Sequence, residues 1–325
     1  MPFLYDYELH ARLLFSLPLL ILAEVVVYGR MRAISAQFIE RQIITAQVRP
    51  AYDAVISSAM RLRNSVAAEI TIGLLVFLVG PLIRQTLALS SDTWYATITG
   101  SGPSRTAAGF WFSFVSVPVF QFILLRWYYR LFIWFRFLFQ VSRLELNLVP
   151  LHPDHCCGLG FLGNVVFAFA PLLVAHSGLM AGFLANRILH EGAQLPDYKF
   201  ELVGMAAFLL VIALAPLCVF VPRLNRARLA GLRTYGKLSS DYVVSFAGKW
   251  GGGARPDEPL LGSADIQSMA DLANSFAIVR EIKLIPFGKE TILRFLVLIA
   301  IPILPLALTM FSLEELLKRL IQVVL

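Results

Sequence analysis

The sequence predicts an all-α protein, a polytopic membrane helix bundle of about six spans with a cytoplasmic helical layer. Three observations carry that prediction. Apolar residues make up 58% of the 325-residue chain and charged residues 15%, against roughly 25% charged in a soluble domain. The apolar residues gather in runs at 13–29, 66–83, 110–125, 161–185, 201–221 and 291–312, near the ~20 residues that cross the hydrocarbon core. The charges are also lopsided: connections 30–65, 126–160 and 222–290 carry 20 of the 28 Lys and Arg residues. The other connections and the tails carry 7, and Arg294 lies in the last run. Cationic loops stay on the cytoplasmic side, so this bias predicts three cytoplasmic connections and both termini outside. The pI of 9.5 then reflects topology and anionic lipid at the cytoplasmic face, and no nucleic-acid partner is needed to explain it. The lipid bilayer is the expected partner, together with further copies in a homo-oligomer.

In chain order, MPFLYDYELHAR places Asp6 and Glu8 before the first base, Arg12, the wrong flank for a secretory signal, so 13–29 reads as a retained helix. Every run contains proline: Pro18, Pro81, Pro118, Pro171, Pro216, and the pair Pro302 and Pro305. Such prolines are either ordinary kinks or, as in transporters, breaks around a site. Residues 30–65 alternate apolar and charged positions at helical spacing, with Pro50 as the expected bend between two helices. The connection Ser90 to Gly109 is rich in Ser, Thr and Gly and reads as an irregular loop.

From Trp127 to Phe139 eight of thirteen residues are aromatic. Arg126 and Arg130 share one helical face, and Arg136 and Arg143 another. An interfacial aromatic belt with arginines at the headgroups explains this pattern; a voltage-sensing or anion-attracting helix is the alternative. Gly178 and Gly182 stand in GxxxG spacing in the fourth run, which lets another helix approach closely. His176 lies nearby, in the outer half of that run, as a packing histidine or an intramembrane titratable group. Segment 222–290 opens with Arg223, Arg226, Arg228, Arg233 and Lys237, breaks at Gly251–Gly253, and continues as an amphipathic helix with Ser263 as its expected N-cap. The last run leads to an amphipathic C-terminal helix, SLEELLKRLIQVVL. By this reading the chain divides into 1–221 with five spans, a cytoplasmic segment 222–290, and 291–325.

Two stretches, LVPLHPDHCCGLGFLG and LLGSADIQSMADLANSFAIVREIKLIPF, resemble a family of uncharacterised bacterial multi-pass membrane proteins. That resemblance implies a bacterial inner-membrane location, and it makes His152, Pro153, Asp154, Gly158 and Gly160 one functional loop. In that family HPD is followed by a basic or small residue and then glycines, where this chain has His155, Cys156 and Cys157.

Three chemical readings attach to these residues. His152, Asp154, His155, Cys156 and Cys157 are ligand types for zinc or copper, but adjacent residues rarely all reach one ion. Alternatively Pro153 fixes a turn, Asp154 caps the helix beginning near Gly158, and the glycines permit close packing. In the third reading the histidines bind protons or a ligand. Glu24 is an acid well inside a run, and a buried charge needs a partner; Arg294, at matching depth, is the expected one. The sequence holds no P-loop, HExxH, nucleophile elbow or Rossmann fingerprint, so nothing in it argues for an enzyme or requires a cofactor. The expected function is a channel or transporter for ions or small solutes. A non-conducting scaffold or sensor is the alternative, and a membrane metalloprotein the third.

Overall fold

The computed structural model describes residues 2–85, 93–99, 102–251 and 264–310. Helix dominates. In order come α1 (Tyr7–Glu40), α2 (Arg49–Arg63), α3 (Val66–Gln85), the hairpin β1 (Ala96–Thr99) and β2 (Gly102–Arg105), and α4 (Ala107–Arg143). Then follow α5 (Leu162–Glu191), α6 (Leu195–Gly251), α7 (Ala264–Arg280), α8 (Lys289–Ala300) and α9 (Leu304–Met310). Among the described residues four helices, α1, α4, α5 and α6, are long and apolar enough to cross a membrane, or five if the bent pair α8–α9 is one span.

These helices do not stop where their apolar runs stop. At 1.5 Å per residue, the 34 residues of α1, 37 of α4 and 57 of α6 reach about 51, 55 and 85 Å, well beyond a ~30 Å hydrocarbon core. The boundaries expected near residues 30, 126 and 222 therefore fall inside continuous helices. A change from apolar to basic residues alters the solvent a helix meets, and the helix continues through it even at Gly29 and Pro222. Pro50 opens α2, and the chain turns before it, between Glu40 and Arg49.

The prolines are absorbed locally in most cases. Wider π turns at Ala11–Ser16 and Phe112–Ser116 lead into Pro18 and Pro118, and a 3₁₀ segment, Ala215–Phe220, holds Pro216. A proline offers no N–H to the carbonyl four residues back, so the helix rewinds around it. The sharp break comes at Pro302, where α8 and α9 meet at 66°.

The loop between α3 and α4 carries regular structure: β1 and β2 pair antiparallel, with Ala96 opposite Arg105 and Thr99 opposite Gly102. Thr106 ends the hairpin and starts α4. Its hydroxyl accepts from Gly109 N–H at 3.0 Å and donates to the Trp94 carbonyl at 2.9 Å. Ser90, Gly252, Gly253, the Ser263 cap and the C-terminal SLEELLKRLIQVVL lie outside the described residues.

The core runs the length of the bundle through α1, α4, α5, α6 and α8. The 127–139 aromatics divide between two roles. Trp127, Trp134 and Phe137 are buried in this core, while Phe132, Phe135 and Phe139 remain exposed. The first group packs the helices rather than forming a belt: Trp127 Nε1–H donates to the Leu20 carbonyl of α1 at 3.0 Å. Gly178 and Gly182 face the start of α1, where an added Cβ would strike Phe15 and Ala11 respectively. The GxxxG spacing thus marks the close approach of α5 to α1.

Candidate functional site

The HPD stretch leaves α4 at Arg143 and reaches α5 at Leu162 through consecutive turns. Asp154 organises them. Its Oδ1 accepts from the N–H groups of Cys156 at 2.8 Å and Gly158 at 3.1 Å, and its Oδ2 from Gly160 at 2.8 Å. His152 Nδ1 lies 2.9 Å from Oδ1 and 3.2 Å from the Asp154 N–H. Burial opposes the Asp154 charge, but the three N–H donors and His152 outweigh it and hold the carboxyl below the usual range. The carboxylate closes its own loop ahead of α5; it does not cap a helix starting at Gly158.

The chain is crowded to fit. His155 and Cys157 adopt positive φ of 52° and 54°, and Gly158 of 97°, a region costly for residues with a Cβ. At Gly160 an added Cβ would lie 2.9 Å from the Asp154 carboxylate, so glycine is required there for close approach.

Two other connections meet this loop. From the turn after α1, the Ile43 carbonyl accepts from Asn147 N–H at 2.9 Å, and the Gln42 carbonyl from the Asn147 side chain at 3.2 Å. From the link between α7 and α8, Lys283 N–H donates to the His155 carbonyl at 2.7 Å. Gly163 faces Pro286 so closely that a Cβ would sit 2.5 Å from its carbonyl oxygen. Arginines of α6 finish the knot: Arg223 donates to the Ser142 and Arg143 carbonyls at 2.8 and 2.9 Å, and Arg228 to that of Arg280 at 3.2 Å. These cations, expected at anionic lipid, cap the C-terminal ends of α4 and α7, where helix carbonyls lack partners.

The donor set does not suit a metal. Among the described residues no three His, Cys, Asp or Glu side chains converge on one position. Asp154 spends both oxygens on backbone N–H groups. Burial, then the Asp154 charge, pushes the Cys156 thiol up to about 11 and the Cys157 thiol to about 12, so neither supplies a ready thiolate. His155 points elsewhere, its Nδ1 buried and 3.9 Å from Glu281 Oε2. The zinc or copper reading of His152, Asp154, His155, Cys156 and Cys157 is corrected on these grounds.

The intramembrane charges are also rearranged. Glu24 does not meet Arg294. It bonds Arg130 and lies 3.9 Å from Arg126, which is 3.4 Å from Glu69 of α3. Arg294 is 64% exposed and pairs along its own helix with Glu290 at 3.7 Å. Matching depth was not enough, because α1 packs against α4 and α5 while Arg294 turns away from them. Glu69 was overlooked, although it stands in the first turn of the second apolar run. Arg136 donates to Ser58 of α2 at 3.0 Å, and Arg143 stacks over Phe139 at 4.8 Å.

His176 Nε2 lies 2.6 Å from the Tyr128 hydroxyl, and its Nδ1 2.8 Å from the Leu172 carbonyl. Tyr128 falls between Arg126 and Arg130, so His176 lies nearer the charge cluster than the expected outer half. The reason is that α5 continues to Glu191, past the predicted end of its run. Asp6, legible in the sequence only as an acid on the flank of the first run, is buried in the structure. Its carboxylate accepts from Leu9 N–H at 3.0 Å, Trp94 Nε1–H at 3.0 Å and Asn186 Nδ2–H at 3.1 Å.

Fold and site together define a helical protein of membrane-bundle character with a hydrogen-bonded knot at one end. No protein-family model, curated protein or solved structure matches the chain.

Proposed function

We propose that the protein is a bacterial inner-membrane sensor or scaffold of six spans, non-conducting as a single copy, with periplasmic termini and the HPD knot on its cytoplasmic side. The six would be the four long helices, the bent α8–α9 pair, and α3, which reaches twenty residues. The 20-to-7 division of Lys and Arg supports the orientation, and the sequence resemblance supports the setting.

The observation that favours a sensor or scaffold over conduction is how the interior is filled. The core between the spans is aliphatic and aromatic, and its buried serines are occupied: Ser16 donates to the Ala175 carbonyl at 2.8 Å, and Ser177 bonds the Ile299 carbonyl. Polar groups that line a path must be free to exchange partners with a solute. The knot, for its part, joins the ends of α1, α4 and α7 to the starts of α5 and α8. A displacement of the cytoplasmic helices would thus reach the spans through His152 and Asp154.

A channel or transporter built between copies is the second reading, favoured by Glu24, Arg126 and Glu69, which are 52, 37 and 46% exposed on the bundle surface. Proteoliposomes separate the two. The sensor reading expects ion and solute efflux no faster than from empty vesicles. Efflux that depends on protein and is lost in Glu24→Gln would overturn it in favour of the channel.

A further inference from the structure

The geometry points to the His176–Tyr128 pair as a proton-binding site that switches the contact between α4 and its neighbours α5 and α6. The inference rests on the membrane location of these helices but not on the sensor reading.

An ionisable side chain within a membrane span is costly to keep and is a functional candidate when its partner can be named. Here the contacts name the partner and place one of the ring hydrogens. The Leu172 carbonyl can only accept, so His176 Nδ1 carries the hydrogen. In the neutral imidazole the Nε2 lone pair accepts from the Tyr128 hydroxyl. Tyr128 is the titratable group in contact with the ring. The neighbouring helices bring Ser16 and the Ile299 carbonyl to adjacent residues of α5, and neither is a charge.

Tyr128 has a second environment. It lines a groove of about 330 Å³ between α4 and α6, with Phe132 and Phe135 on one side and Ile212 and Pro216 on the other. Pro216 has no N–H, so the Ile212 carbonyl one turn back loses its helical donor. Ile212, whose carbonyl meets no N–H at Pro216, lines the same groove as the tyrosine.

When a proton from water binds Nε2, the imidazolium has N–H donors at both nitrogens. The Tyr128 oxygen changes from donor to acceptor at that bond, and its own hydrogen must turn away from His176. The groove side offers the Ile212 carbonyl. One proton is taken up, no other bond breaks, the α4–α5 hydrogen bond reverses its direction, and the tyrosine hydrogen is turned from α5 toward α6. Since α6 continues toward Arg223 and Arg228, the change is delivered to the helix that caps the knot.

The test is nuclear magnetic resonance of the full chain in lipid nanodiscs, with ¹⁵N-histidine and ¹³Cζ-tyrosine labels, titrated between about pH 4 and 9. One histidine should begin as the Nδ1–H tautomer and become doubly protonated, and one tyrosine signal should move at the same midpoint. His176→Gln should remove the first and leave the second fixed. If that variant does not fold, single replacements of His10, His152, His155 and His190 assign the remaining signal to His176. Tyr128→Phe should displace the midpoint by about half a pH unit or more, the worth of one net hydrogen bond. A His176 that never titrates, a Tyr128 signal that stays still while His176 titrates, or an unchanged midpoint in Tyr128→Phe overturns the site. Protein-dependent efflux, by contrast, would overturn the sensor reading and leave this one standing.

Discussion

Two partly or fully buried carboxylates sit at opposite ends of this molecule, and each accepts three N–H hydrogen bonds. Asp154 takes all of its bonds from Cys156, Gly158 and Gly160, within six residues of itself. Asp6 takes one from Leu9 and the others from Trp94 and Asn186, 88 and 180 residues away. The first closes a local loop. The second clamps the N-terminal end of α1 to α5 and to the segment before the β-hairpin. The same chemistry thus yields a preformed loop in one place and a tertiary fastening in the other, and the separation of partners along the chain decides which.

The sharpest way to break that comparison is to remove Asp154. Asp154→Ala leaves three backbone N–H groups without their charged acceptor and should cost about 3 kcal/mol, read by thermal unfolding in detergent. Folding lowers this carboxyl's pKa, so the stabilisation is present above the unfolded value of about 3.9 and is lost as pH falls through the lower folded value. Wild type should therefore lose part of its advantage over Asp154→Ala in acid. A constant difference from pH 7 to below the folded pKa would refute the ionised cage.

Asp6 should show its tertiary character through coupling. Asp6→Ala should cost about 2 kcal/mol and Trp94→Phe about 1 kcal/mol, with the double mutant falling short of the sum by about 1 kcal/mol. Strict additivity would mean that the indole bond contributes nothing. Limited proteolysis sharpens the contrast further: Asp6→Ala should free the N-terminal residues, whereas Asp154→Ala should expose the 144–161 connection.

The smallest effects belong to the exposed charges. Glu24 and Arg130 should couple by about 0.2–1 kcal/mol, as half-exposed pairs do. Arg294→Gln should change stability by about 0.5 kcal/mol or less and add independently to Glu24→Gln. Measurable coupling between Glu24 and Arg294 would overturn the pairing described above.

What the sequence determined by itself is what depends on composition and near neighbours. The apolar runs predicted the helices, because about 20 consecutive apolar residues require a solvent other than water. Gly178 and Gly182 predicted a close helix contact, and the resemblance grouped His152, Pro153, Asp154, Gly158 and Gly160 as one unit; the carboxylate that closes their loop accepts from N–H groups a few residues on, a short-range device. The tertiary structure alone decided the rest. No periodicity says that Glu24 chooses Arg130 over Arg294, that Arg223 and Arg228 cap the ends of other helices, or that Tyr128 meets His176 48 positions away. Those choices follow from which helix faces come together, and packing selects among charges and hydrogen-bond donors that are chemically equivalent in the sequence.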